Sequence, residues 1–317
     1  MSTIIAIEHL NKQYGTLTAL EDLCLEVEEG DVVGFIGPNG AGKTTTMRIL
    51  TTLLRPTLGE AWVAGFSVTD SPHEVRRAVG YMPDFFGVYD DMKVWEYLDF
   101  FAACYSIPRA TRQSMIDDLL TLVDLNHKSD AYVDSLSRGM KQRLCLARTL
   151  AHDPQVLILD EPASGLDPRA RIEMRELLRE LKNMGKTIFF SSHILSEVAD
   201  ICSKIAVLEA GRLVAYGDMA EMKRKLRPNR LIRLQTLSDT DAVQAYLLGV
   251  EQIQIVSAGA ESGLPAGTLL AEFSGDDREM STLLRALIEQ GFAITSFGEE
   301  SSNLEDVFMQ VTRGVVS

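Results

Sequence analysis

The chain has 317 residues, of which 46% are hydrophobic and 24% charged, proportions that suit a folded protein of two domains. Its net charge of −14 argues against a nucleic-acid partner, because phosphate backbones are bound by clustered basic surfaces. Four widely spaced cysteines, Cys24, Cys104, Cys145 and Cys202, predict reduced thiols rather than a disulfide framework. We find neither a secretory signal nor a run of the ~20 apolar residues that cross a bilayer, so any membrane-spanning part is expected in other chains.

Apolar residues near the N-terminus follow strand patterns. Alternating runs at Ile4–Ile7 and Leu20–Val27 predict half-buried antiparallel strands, and the denser run Val32–Gly37 predicts a fully buried strand. The period then becomes helical from Lys43 to about Leu54. From Asp91 to Leu125 it is helical again, and Pro108 divides this stretch into two helices.

The second half of the first domain alternates helix and strand. The predicted elements are a helix from Arg138 to about His152, a strand at Val156–Leu159, a helix at Arg169–Asn183 and a strand at Thr187–Ser191. Such alternation predicts a mainly parallel sheet covered by helices on both faces. With the opening antiparallel strands, the fold class is α/β with a mixed sheet.

The charge balance and the pattern of predicted elements change near Pro228. Residues 228–317 contain five Lys and Arg against thirteen Asp and Glu. The predicted elements there are Leu231–Leu237 (strand), Thr240–Leu248 (helix), Gln252–Val256 (strand), Thr268–Phe273 (strand), Arg278–Gln290 (helix), Ala293–Phe297 (strand) and a last helix from Asn303. This βαββαβ order predicts a small α+β, ferredoxin-like domain over 228–317. The basic run just before it, Lys223 to Arg227, is interpreted as a solvated helix end or, alternatively, a lipid-headgroup contact.

A glycine-rich string lies between the third strand and the first helix. It reads Gly37-Pro38-Asn39-Gly40-Ala41-Gly42-Lys43-Thr44 and matches G-x-x-x-x-G-K-[ST]. The glycines allow backbone N–H groups to surround phosphate oxygens at a helix N-terminus. We expect Lys43 at the β- and γ-phosphates, the Thr44 hydroxyl at Mg²⁺, and Thr45 in the same nucleotide site.

Two adjacent acids end the buried strand VLIL. Asp160 is predicted to meet Mg²⁺ from the far side of the phosphate site, and Glu161 to polarise the attacking water. The alternative is an ordinary solvated strand end. The segment LSRGMKQR lies between the two motifs; by itself it predicts a helix capped by Ser137, with Gly139 allowing close backbone approach.

Taken together, these motifs make residues 1–227 resemble the nucleotide-binding domain of ABC ATPases, a P-loop NTPase fold with a helical insert at about 91–152. LSRGMKQR is similar to the family's LSGGQ signature, although Arg138 replaces its second-position glycine and Met140-Lys141 follow Gly139. ASGLD, with Asp167, is similar to the family's D-loop, and SSH, with His193, to its switch histidine.

The resemblance implies further roles in the site. Tyr14 stands where the family stacks a ring on adenine, and His193 where it contacts the γ-phosphate. Ser137, Gly139 and Asp167 belong to the nucleotide site. Asp84 stands where most members have a glutamine that binds Mg²⁺. A packing role stays open for Tyr14, and a turn-capping role for Asp84.

The resemblance also implies a function. Two such subunits, alike or different, close head to tail on ATP and Mg²⁺, and hydrolysis drives a partner membrane permease from the cytoplasmic side of the membrane. The ending NLEDVFMQVT is similar to that of drug- and polymer-exporting ABC ATPases with a C-terminal accessory domain, which favours export. An apolar ledge of Phe85, Phe86, Val88 and Tyr89 is expected either to touch the permease or to pack the insert onto the core.

The motifs also admit two other classes of function, a non-transport ABC ATPase and a different P-loop enzyme such as a GTPase or a kinase. A non-transport ABC ATPase acting on a soluble macromolecular complex, such as a ribosome or DNA, is the main alternative; the single cassette, short insert and acidic surface disfavour it. A GTPase would need NKxD, and Asn11-Lys12-Gln13-Tyr14 fails at its last position. A kinase has no use for the signature or the D-loop.

Overall fold

The structure is a computed structural model that describes residues 2–85, 87, 91–193, 201–218, 230–258 and 265–299. These residues fall into two compact units, one over 2–218 and the other over 230–299. The predicted domain boundary at 227/228, the ledge residues Phe86, Val88 and Tyr89, and the helix predicted from Asn303 lie outside the described residues. Within these ranges, no helix is both long and apolar enough to cross a membrane.

The N-terminal unit is built from alternating strands and helices. Its strands are β1 (Thr3–Tyr14), β2 (Leu17–Glu28), β3 (Val32–Ile36), β4 (Leu58–Val63), β5 (Phe66–Ser67), β6 (Val79–Met82), β7 (Val156–Leu159), β8 (Thr187–Ser192), β9 (Lys204–Glu209) and β10 (Arg212–Asp218). Its α-helices are α1 (Lys43–Leu50), α2 (Pro72–Ala78), α3 (Val94–Cys104), α4 (Arg109–Leu122), α5 (Arg138–Leu150) and α6 (Pro168–Asn183). Short 3-10 turns lie at Asn126–Lys128 and Val133–Ser135.

Two sheets organise this unit. The six-stranded sheet has the order β10-β9-β3-β8-β7-β6, in which only the β9–β10 pair is antiparallel. The opening strands instead form a separate antiparallel sheet, β2-β1-β4-β5. One core joins the two sheets, since Ile5, Leu20 and Val63 of the second pack with Phe35 of the first and Met47 of α1. The α/β class with a mixed sheet is confirmed.

The parallel strands determine where polar residues collect. Every residue of β3, β7 and β8 is buried, as the continuous apolar runs predict. Parallel strands end at the same edge of a sheet. The chain segments that follow β3, β7 and β8, namely the glycine string, Asp160 and His193, therefore meet at one edge.

The insert contains α3, α4 and α5, with α3 and α4 separated at Pro108 as predicted. The helical period predicts that Trp95, Leu98, Phe101 and Ala102 share the buried face of α3, but Trp95 and Phe101 are only half-buried and Tyr97 is fully buried with Leu98 and Ala102. Tyr97 can be buried because the Arg148 guanidinium on α5 donates a hydrogen bond to its hydroxyl at 3.1 Å.

The C-terminal unit is a separate α+β body. Its elements are β11 (Arg230–Thr236), α7 (Thr240–Leu248), β12 (Ile253–Ala258), β13 (Thr268–Phe273), α8 (Asp277–Glu289) and β14 (Ile294–Glu299). The sheet is antiparallel throughout, in the order β12-β13-β11-β14, the strand order of a split βαβ arrangement. It has its own core, in which Leu234 and Phe273 of the sheet pack with Leu247 and Leu287 of the helices.

The core of the N-terminal unit gives a stability prediction. Phe189 on β8 is fully buried, with its ring centroid 5.0 Å from that of Phe35. Phe189→Ala should lower the free energy of unfolding of this unit by about 3–5 kcal/mol, because the packed core cannot close the cavity. Both tryptophans, Trp62 and Trp95, lie in this unit, so urea denaturation followed by tryptophan fluorescence measures it. The control is Phe66→Ala, at a 41% exposed side chain; an equal loss in both variants would contradict the prediction.

Candidate active site

The glycine string is shaped by two close backbone approaches. Gly42, which precedes α1, has φ 108°, and a Cβ there would lie 2.6 Å from the Ala19 carbonyl oxygen. A Cβ at Gly37 would clash with the Leu208 carbonyl on β9. Both positions therefore require glycine, and β2 and β9 hold the loop in place.

A cleft of about 560 Å³ opens beside this loop. It is lined by ten of the predicted site residues: Tyr14, Asn39, Gly40, Gly42, Lys43, Thr44, Thr45, Asp84, Glu161 and His193. Leu17, Ala19 and Ser164 also line it, and sequence analysis did not select them. The remaining loop positions, Gly37, Pro38 and Ala41, lie in the same turn between β3 and α1.

Lys43 places a buried cation in the cleft wall. Its side chain is 6% exposed, and Nζ donates to the carbonyl oxygens of Gly37 at 2.7 Å and Pro38 at 3.2 Å. Nζ also lies 3.6 Å from Oε1 of Glu161. The glycine loop thus curls around the ammonium group, which is satisfied by carbonyl oxygens and faces a carboxylate.

One serine hydroxyl fixes both predicted acids. Ser191 Oγ on β8 donates to Oδ1 of the buried Asp160 at 2.7 Å and accepts from the Glu161 N–H at 2.8 Å. Glu161 has φ 50°, a region that few non-glycine residues occupy. Its Oε2 lies 2.8 Å from His193 Nδ1. Ser191 is not among the predicted site residues; the signal that could have found it is a serine at the end of the strand beside β7.

The carboxylates make the cleft strongly acidic. Partial desolvation raises the pKa of Asp84, and the nearby charges of Glu161 and Asp160 raise it further, against smaller opposing effects led by Arg138. With the Thr44 hydroxyl, these groups form a donor set made only of oxygen, which is what a hard divalent cation such as Mg²⁺ prefers. The residues present therefore fit such an ion.

Tyr14 lies at the end of β1 and lines the cleft. Its side chain is 44% exposed, so the ring is not part of the core, and the Lys12 ammonium lies 5.3 Å from its centroid. An exposed ring in this position leaves one face for stacking on a flat ligand.

Outside the glycine string, three predicted nucleotide-site residues do not line this cleft: Ser137, Gly139 and Asp167. Ser137 caps α5, as predicted, by accepting from the Met140 N–H at 3.3 Å. Asp167 caps α6 by accepting from the Ala170 N–H at 2.9 Å. Gly139 lies against α6, where a Cβ would be 3.0 Å from the Ala170 Cβ. Within one chain, all three have capping or packing roles.

Known proteins resemble this chain in sequence and fold. The family profile described as ABC transporter matches residues 20–164. Nod factor export ATP-binding protein I of Ralstonia nicotianae is 34% identical over 311 residues, which cover 98% of this chain and 94% of that protein. A solved ATP binding subunit of an ABC transporter is 30% identical, with a TM-score of 0.64 over 70% of this chain and 93% of the other.

A further solved structure is cbiO1 of Clostridium perfringens, described as part of the ABC transporter complex cbiONQ. It is 27% identical and has a TM-score of 0.64 over 72% of this chain and 94% of its own. The cleft beside the glycine string, the parallel sheet and the match to a relative over nearly its whole length all point to the same family. The chain therefore belongs to the ABC transporter family, as an ATP-binding subunit with ATPase activity.

Proposed function

We propose that the cleft beside the glycine string is the hydrolytic site, and that hydrolysis there drives export through partner membrane permease subunits. One observation carries the proposal. Lys43, Asp84, Glu161 and His193 converge on a single cleft at the carboxyl edge of the parallel sheet, whereas Ser137 lies outside it.

The loop and Lys43 are assigned to the ATP phosphates. Backbone N–H groups within residues 39–44 and the N-terminus of α1 offer donors and positive potential to an anion. The Lys43 ammonium already lies at the cleft, bound to the Gly37 and Pro38 carbonyls. It can exchange these partners for β- and γ-phosphate oxygens with little movement.

Thr44, Asp84 and Asp160 are assigned to Mg²⁺. When bound, this ion would supply charge neutralisation on the β- and γ-phosphate oxygens. Asp160 is oriented for this task by Ser191, and the ion would relieve the carboxylate repulsion that, after desolvation, helps to raise the pKa of Asp84.

Glu161 is assigned as the group that orients and polarises the attacking water. Its backbone is fixed by Ser191 and its carboxylate lies between Lys43 and His193, so the side chain is held at the cleft wall. Once phosphate oxygens bind the Lys43 ammonium group, Oε1 of Glu161 can accept a proton from the attacking water. His193 holds Oε2, and its side chain lines the same cleft, so it is assigned to the γ-phosphate.

Dimerisation would complete the site. Ser137 and Gly139 lie at the N-terminus of α5, which has donors and a positive dipole but no place in its own cleft. In a head-to-tail pair, like or mixed, this end of α5 would face the γ-phosphate in the other subunit. Closure on ATP and separation after hydrolysis would then be the mechanical output.

Two other observations, the names of relatives and the exposure of Phe85, support a permease partner and a peripheral position on the cytoplasmic side of the membrane. The relative from Ralstonia is named as an export protein, and cbiO1 as part of a transporter complex. Phe85, the described residue of the apolar ledge, is 87% exposed, which favours a docking role over packing within the chain. Co-purification with membrane proteins from detergent extracts, lost on Phe85→Ser, tests this part.

Glu161→Gln should lower ATP turnover by ~10²-fold or more while ATP binding stays intact, because the variant keeps the shape but loses the proton acceptor. It should also accumulate as an ATP-bound dimer in size-exclusion chromatography. The matched control is Glu176→Gln, at an exposed side chain on α6. Turnover within threefold of the parent in the Glu161 variant would refute the assigned role.

Asp84→Asn and Asp84→Ala should each raise the Mg²⁺ concentration for half-maximal ATPase activity about 10-fold, because a charged oxygen ligand is lost. Steady-state hydrolysis across a Mg²⁺ titration at fixed ATP measures this. Glu176→Gln again serves as the control. An unchanged Mg²⁺ requirement in both variants would make Asp84 a turn residue.

A fragment of residues 1–227 should bind ATP with an affinity within about threefold of the full chain, because every residue assigned to the phosphates precedes Pro228. Equilibrium binding of a fluorescent ATP analogue measures the affinity, and circular dichroism confirms that the fragment is folded. A folded fragment that fails to bind would show that the C-terminal unit contributes to the nucleotide site.

A further inference from the structure

Strands β1 and β2 each contain a β-bulge, and the two bulges are neighbours along the pairing of these strands. On β1, Glu8 and His9 together oppose Cys24; on β2, Glu21 and Asp22 together oppose Asn11. His9 and Asp22 have φ of 47° and 52°, in the left-handed region. Bulges redirect side chains, and this pair turns residues of both strands towards one point on an exposed face.

Three different donor atoms meet there. His9 Nδ1 lies 2.7 Å from Asp22 Oδ1 and 3.7 Å from Cys24 Sγ, and all three atoms lie within 4.8 Å of one another. The His9 N–H also donates to Cys24 Sγ at 3.3 Å. The histidine and aspartate side chains are 77% and 70% exposed, so a solvent ion can reach the cluster.

Asn11 holds both bulges in place. Its Oδ1 accepts from the Asp22 N–H at 3.1 Å, and its Nδ2 donates to the His9 carbonyl oxygen at 2.7 Å. One side chain thus braces the backbone beneath two of the three donors. The cluster is preorganised by groups that are not themselves donors, as in metal sites with a supporting outer shell.

We propose that His9, Asp22 and Cys24 bind a borderline-soft divalent metal ion of the Zn²⁺ class, separate from the nucleotide cleft. Zn²⁺ accepts nitrogen, oxygen and sulfur together, whereas Mg²⁺ does not accept sulfur readily. Tetrahedral bonds of ~2.0–2.3 Å place ligand atoms roughly 3.3–3.6 Å apart, close to the Nδ1–Sγ distance. Asp22 would move out by about 0.6 Å as its hydrogen bond to His9 is replaced. Water would be the fourth ligand.

The charges of this site balance. The thiol of Cys24 releases its proton to solvent on binding, and the neutral imidazole of His9 keeps its proton on Nε2, so that Nδ1 presents a lone pair. One thiolate and one carboxylate then neutralise the two positive charges of the ion. Because the ligands come from β1 and β2, the metal would cross-link these strands and stabilise the N-terminal unit.

The test uses the metal-free full-length protein without nucleotide, since nucleotides bind divalent ions themselves. Titration with Co²⁺ should give a thiolate-to-cobalt charge-transfer band and the visible bands of tetrahedral cobalt, and Zn²⁺ should abolish both. The matched control Cys104→Ser removes another exposed thiol and should behave as the parent does. Cys24→Ser should lose the charge-transfer band. His9→Asn, which tolerates positive φ, should weaken Co²⁺ binding at least about 10-fold.

Thermal unfolding provides a second readout. Zn²⁺ should raise the unfolding temperature of the parent and of Cys104→Ser but not of Cys24→Ser, while the three proteins unfold alike without metal. The proposal is overturned if the parent shows no charge-transfer band, or if the band persists in Cys24→Ser. Equal stabilisation of Cys24→Ser and the parent by Zn²⁺ would also overturn it, because the ion would then bind elsewhere.

Discussion

Complete burial of three parallel strands is the constraint on which the rest of the structure depends. Strands β3, β7 and β8 have no exposed residue; β3 and β7 contain no polar side chain, and the polar residues of β8, Thr187, Ser191 and Ser192, lie at its ends. Asp160 comes directly after β7 and is itself buried, which would be costly without a donor. Ser191, from the end of β8, provides that donor and also holds the Glu161 backbone.

The charge of the cleft follows from this arrangement. Asp84, Asp160 and Glu161 are close enough to affect one another, and Lys43 lies among them. A triphosphate would add further negative charge. Only positive groups can offset that sum: Lys43, the N-terminus of α1, a divalent ion and, in a closed pair, the α5 N-terminus of the other subunit. The acidity of the cleft therefore supports the proposed roles of a metal ion and of a second subunit in nucleotide binding.

Local sequence patterns determined some features and long-range pairing determined others. Val156–Leu159 matches its prediction because a four-residue apolar run is long enough for a buried strand but short for a helix, and Lys43 begins α1 at the end of the glycine string. The helix predicted to about Leu54 ends at Leu50, since hydrophobic period alone does not mark a C-terminus. The contact of Ser191 with Asp160 depends on the register between β7 and β8. The meeting of the two bulges depends on the register between β1 and β2. Neither register can be derived from residue spacing within one strand.

Arg138, in the segment that is similar to the family signature, contacts the loop just before α6. The Arg138 guanidinium donates to the Ser164 carbonyl oxygen at 3.2 Å and covers Gly165, where a Cβ would clash with it. Gly165 has φ 66°, so the segment before α6 is shaped to accept this side chain. Ser164 lines the cleft, and Arg138 begins the helix that Ser137 caps. Within one chain, a single guanidinium thus connects the N-terminus of α5 to a residue that lines the cleft.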